Sequence, residues 1–246
     1  MGSKESLKAP YHITYCGFQD SMFGVHIATR PPIPSPKEVL TTYHIPGRDG
    51  VLTIKDGTIE DVTIPVEFSF TAYPDDWQGV AAAVRNWLLM SSGTLELSDI
   101  PDAFYKVRYV ELGDFEREYK KTGTFTANFI CEGCQYLNEG QYEHHPRSGS
   151  LTNPGITSHP QYMISGAAGT CILTVNGRSL TATVSGNMTI DTERAMAYRT
   201  TDGVSVNTAL IMGDYDFKDF WLKPGENTVS ATAGFDLKVV PNWRRL

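Results

Sequence analysis

Only one stretch of this chain spaces its apolar residues as a helix does; almost everything else alternates as strands do. Between Pro74 and Gly93, the residues Trp77, Val80, Ala81, Val84, Trp87 and Leu88 recur three and four apart, which places them on one face of a helix. Asp75 or Asp76 is expected to cap its start, and Ser91-Ser92-Gly93 to stop it with a left-handed turn. Outside this helix, Phe23–Ile27, Val51–Ile54, Val66–Phe70, Thr94–Leu97, Tyr105–Leu112 and Gly123–Cys131 read as half-buried strands. A chain so patterned is mainly β.

Four prolines in the six residues Pro31–Pro36 fix φ and remove ladder donors. That stretch is expected to be a stiff extended arm with polyproline-like geometry. Downstream, Pro46-Gly47-Arg48-Asp49-Gly50 reads as a glycine-rich turn, and Asp56-Gly57 as another. Residues 135–150 (QYLNEGQYEHHPRSGS) are polar and without period, as a linker is. We place a first domain at 1–137, the linker at 138–152 and a second domain at 153–246, with limited proteolysis expected to cut first between about Leu137 and Leu151. The second domain is β throughout. Asn176-Gly177, between two alternating segments, is a strong hairpin signal, and Leu210–Met212, Asp219–Leu222, Asn227–Ala231 and Leu237–Val240 follow as short strands suited to a sandwich.

The 246 residues carry a formal charge of −7, which argues against nucleic acid as a direct ligand. Four scattered cysteines read as reduced thiols. No apolar run is long enough to span a membrane, and the first ten residues lack a signal peptide's apolar stretch. Gly2 and Ser6 fit a myristoylation pattern formally, a match we discount. The product is expected to be made and kept, or assembled, in the cytosol.

Reactive chemistry is sparse. Cys131-Glu132-Gly133-Cys134, with His144 and His145 nearby, offers zinc-ligand types, but the second pair of a zinc motif is missing and the plainer reading is a strand end with two thiols. Asp214, Asp216 and Asp219 crowd one loop without the glycine and glutamate of a calcium loop, so they read as a solvated acidic turn. The signatures of α/β-hydrolases, P-loop nucleotide enzymes and zinc proteases are all missing. Trp77, Trp87, Trp221 and Trp243 are read as packing rather than sugar platforms. We expect no enzyme, no cofactor and no metal ligand.

His44-Ile45-Pro46-Gly47-Arg48-Asp49-Gly50, followed by Ile59–Val66, resembles the GRDG turn and following strand of the siphophage distal tail protein family, a phage tail component. Asn153-Pro154-Gly155, Ser158-His159-Pro160, Leu173–Arg178, Ile190–Glu193, Leu222–Asn227 and Pro241–Arg244 follow in the order of its C-terminal domain, and the matches span residues 15 to 246. The resemblance implies a β-sandwich-like, ring-forming N-terminal domain with one helix and an extended arm, and a galectin-like C-terminal sandwich. It further implies a virion protein of the tail tip, assembled in the host cytoplasm as a hexameric ring. That ring would lie between the tail tube protein and the tail-tip hub protein, with its outer domains able to hold receptor-binding or baseplate proteins. Phage DNA would pass through its channel without specific binding, and no membrane is involved. Pro31, Pro34, Gly47, Arg48, Asp49 and Gly50 are the expected protein contacts. The alternative is a carbohydrate-binding module used in host adhesion, although a second domain of about 95 residues has no room for a sugar-binding insertion.

Overall fold

The computed structural model describes residues 11–90, 92–117, 121–146 and 149–246. The myristoylation pattern at Gly2 and Ser6, and Ser91 of the expected helix stop, lie outside them. The chain divides into a first unit ending at Gln135 and a second from Tyr136 to Arg245.

In the first unit the strands β1 (Ile13–Tyr15), β2 (Phe18–Gln19), β3 (Val25–Ile27), β4 (Glu38–His44), β5 (Val51–Ile59) and β6 (Val62–Thr71) precede the helix α1 (Trp77–Leu88). After it come β7 (Gly93–Leu97), β8 (Ala103–Leu112), β9 (Glu116–Arg117) and β10 (Thr122–Leu137). One sheet runs in the order β2-β1-β7-β8-β10-β6-β3. Its backbone is the β6–β10 pair, in register from Thr71↔Thr122 to Val62↔Cys131. Period two is kept along β6, so Val62, Ile64, Val66, Phe68 and Phe70 all enter one core. There α1 contributes Trp77, Ala81, Val84, Trp87 and Leu88. Trp87 is the pivot: its ring stacks on Phe23 at 4.6 Å, and its Nε1–H donates to Tyr15 O at 3.1 Å.

The helix ends otherwise than expected. Asp76 makes no capping bond with its side chain, which lies against Gly79. Leu89 closes the helix at φ −90°, leaving Gly93 to open β7 as an ordinary strand residue. The expected turn at Asp56-Gly57 is also absent, because β5 runs through it. Glu38 pairs with Ile59 and Leu40 with Lys55, so β5 takes up two more residues than β4 over that step, and a bulge absorbs the glycine.

The second unit has β11 (Ser150–Asn153), β12 (Gln161–Gly166), β13 (Gly169–Val175), β14 (Arg178–Val184), β15 (Asn187–Asp191), β16 (Met196–Tyr198), β17 (Leu210–Ile211), β18 (Gly225–Ala231) and β19 (Phe235–Val240). Two antiparallel sheets, β11-β18-β13-β14-β17 and β16-β15-β12-β19, enclose a core that includes Tyr162, Leu173, Leu180, Phe220 and Trp243. The Asn176-Gly177 hairpin forms, with φ of 50° and 80°. Asn176 Oδ1 accepts from Thr228 N–H at 3.0 Å, and its Nδ2 donates to Asn227 Oδ1 at 2.8 Å. The segment expected as a strand around Asp219 is instead a 3-10 turn, Phe217–Phe220, with Asp216 and Asp219 forming a capping box.

The stretch expected as a bare linker is built into this second unit. Asn138–Gln141 is a 3-10 turn, Leu137 N–H donates to Trp243 O at 2.9 Å, and Asn242 N–H donates to Gly140 O at 2.8 Å. His144 exchanges both backbone hydrogen bonds with Val239. Polar composition hid this, because the partners are backbone groups and the apolar surface covered belongs to Trp243, a hundred residues away.

Candidate protein–protein interface

Among the described residues, β4 and β5 pair with each other and with no other strand. They form a free two-stranded ribbon whose turn is the Pro46–Gly50 segment. Arg48 N–H donates to Ile45 O at 3.2 Å, and Gly47 and Gly50 take φ of 80° and 81°, which glycine adopts without strain. The register puts Tyr43 opposite Leu52 and Thr41 opposite Ile54 on one face, and Thr42 opposite Thr53 and Leu40 opposite Lys55 on the other. The first face is therefore an apolar stripe. None of the described residues covers it: Tyr43 is 52% exposed, Ile54 46% and Leu52 40%. Lone apolar side chains on a surface are ordinary, but a contiguous stripe on an otherwise unsupported hairpin marks a contact surface.

The six expected contact residues divide between two places. Gly47, Arg48, Asp49 and Gly50 form the ribbon's exposed tip. Pro31 and Pro34 lie instead in a strap between β3 and β4: at its start Ala28 N–H donates to Glu67 O of β6 at 3.0 Å, and at its end Glu60 N–H, between β5 and β6, donates to Lys37 O at 2.8 Å. Between these two bonds Pro31 is buried, Pro34 is half-buried, and Arg30 pairs with Asp99. Pro65 of β6 faces the strap side, where its missing N–H leaves the β10 ladder intact. The projecting element is thus the ribbon; its apolar stripe was missed because alternation in sequence shows which residues share a face, not whether that face is covered.

A second uncovered apolar surface lies over Trp87. Phe18 packs edge-on against Phe23 at 6.2 Å, and Phe23 stacks on Trp87. Around this stack Met22 is 68% exposed and Leu89 60%, with Phe18 and Met90 also exposed.

The residues considered for chemistry have structural partners. Cys131 lies in the first core, and burial pushes its thiol up to about 12, aided by the carboxylates of Asp61 and Glu132. At neutral pH it stays protonated, neither a nucleophile nor a ready ligand. His144 packs against Trp243 at 4.7 Å, and no group of three or more His, Cys, Asp or Glu able to hold a metal is found among the described residues. Asp219 pairs with Arg178, whose guanidinium lies over Tyr215. Trp77, Trp87 and Trp243 are buried. Trp221 is half-buried, with one face against His159 at 4.1 Å and its Nε1–H donating to Thr192 O at 3.5 Å, so that face is not offered to a sugar.

No family model matches the chain, and no curated protein does. Among solved structures it is similar to the Dit (gp 19.1) protein of SPP1, a crystal structure described as a paradigm of the hub adsorption apparatus in phages infecting Gram-positive bacteria. The superposition covers 96% of this chain and 98% of that one, with a TM-score of 0.70 and 15% sequence identity. At that identity the likeness is one of fold, and along nearly its whole length this chain has the fold of that phage Dit protein.

Proposed function

We propose that this chain is a non-enzymatic structural subunit of a phage tail tip, assembled through its first unit into a closed ring. The ribbon β4–β5 carries this reading: an apolar face on a hairpin that none of the described residues covers is stabilised by another subunit. Contact between unlike patches that closes on itself gives a ring, and one that does not close gives a filament. The fold shared with the SPP1 Dit protein, described as part of an adsorption hub, supports a place at the tail tip, with the tail tube protein and tip hub as axial neighbours and receptor-binding or baseplate proteins on the second unit. Residues 1–135 hold 18 Asp and Glu against 12 Lys and Arg, a balance under which DNA would traverse a channel without sticking. Assembly in the host cytoplasm, six-fold symmetry and contact by the tip residues Gly47–Gly50 belong to the same proposal.

The test is the mass of the purified chain at high concentration, with electron micrographs of the same sample. A discrete oligomer seen as a ring, lost when Leu52 is changed to Glu, is the expected result. A monomer whose melting temperature rises with bacterial cell-wall saccharide would establish the carbohydrate-binding module instead.

A further inference from the structure

Two apolar surfaces are left uncovered by the described residues: the ribbon stripe and the patch over Trp87. We propose that they are the two halves of one contact, the stripe Tyr43–Leu52–Ile54 of one copy seating on Phe18, Met22, Leu89 and Met90 of the next. This rests on the ring assembly proposed above and names the surface that receives the ribbon.

Three observations favour a second copy as the occupant. The paired positions that form the stripe, Tyr43–Leu52 and Thr41–Ile54, carry no charge, so the ribbon brings no ion to be desolvated in the contact. The side chains differ in a useful way: the stripe carries the aromatic Tyr43 and the β-branched Ile54 beside Leu52 on a narrow ribbon, whereas the patch offers two methionines and a leucine that can reshape around it. The patch is also anchored. Phe18, Phe23 and Trp87 form a continuous stack from the surface to the core, and the backbone at Leu89 and Met90 is held by hydrogen bonds to Arg85 O at 2.9 Å and Trp87 O at 3.3 Å. A donor patch and a different acceptor patch on every subunit is a heterologous contact, the kind from which rings are built.

The full-length chain is made as two single variants, Tyr43→Cys and Met22→Cys. Of the native cysteines, Cys131, Cys134 and Cys171 are buried and Cys16 is half-buried, so wild type serves as the uncrosslinked control. The variants are mixed and oxidised mildly. The expected product is a disulfide-linked heterodimer exceeding either homodimer, together with loss of the oligomer in a Met22→Lys variant whose melting is that of the wild-type monomer. If the oligomer forms while no heterodimer appears and Met22→Lys still assembles, the ribbon seats elsewhere and the ring reading survives. If wild type is a monomer at every concentration, both fall.

Discussion

Asp20 is 2% exposed in the 3-10 turn that leads to Phe23, and its Oδ1 has no hydrogen-bond partner. Burial raises its pKa above the ordinary 3.8, against the opposing pull of the Ser21 and Ile13 amides and of His12 and His26. The folded state therefore holds this proton more tightly than the unfolded chain does. Its contribution to stability is fully present below 3.8 and is lost as pH rises through the raised folded value. Asp20→Asn should therefore stabilise the fold at pH 7 by about 1 kcal/mol, seen as a higher melting temperature, and the gain over wild type should shrink to nothing as pH falls below 3.8. A thermal scan across that range checks both ends. Composition gives no sign of Asp20, because an acidic residue's burial is set by the fold that forms around its turn. Trp77, Trp87 and Trp243 were legible as core, since large aromatics in small β units have few other uses.

At the scale of elements, Gly177 at φ 80° is the position that the β13–β14 hairpin needs most, since an L side chain there is strained. Gly177→Ala should lower the urea midpoint of the second unit by about 1 kcal/mol in stability with its slope unchanged, as read by chemical denaturation. That hairpin could be read directly from Asn-Gly between alternating runs, as α1 could from the spacing of its buried face. Elsewhere local signals misled. Asp56-Gly57 has turn chemistry but sits in a bulge, where the ladder on either side overrides it. Asp219–Leu222 is read as a strand, yet its first two residues coil in the 3-10 turn Phe217–Phe220, because Asp216 and Asp219 cap that turn and Arg178 holds Asp219 from β14.

For the whole molecule, the boundary between units falls fifteen residues before the place where composition becomes β-like again. A fragment of residues 136–246 should therefore melt well above one of 151–246, which lacks the partners of Trp243, Asn242 and Val239. In the full chain, proteases should spare Asn138–His144. The mainly-β class was legible from periodicity, while the uncovered stripe was not, because a free edge or stripe is defined only by what fails to cover it. The ribbon has one more consequence. An isolated hairpin is marginally stable in water, so under the proposed assembly the energy that orders β4 and β5 comes from association and obeys mass action. The transition of the first unit should then move upward with protein concentration while that of the second stays fixed, a difference that calorimetry on a dilution series resolves. Subunit folding and subunit supply would then be one equilibrium, with the ribbon completing its order only where neighbours are abundant.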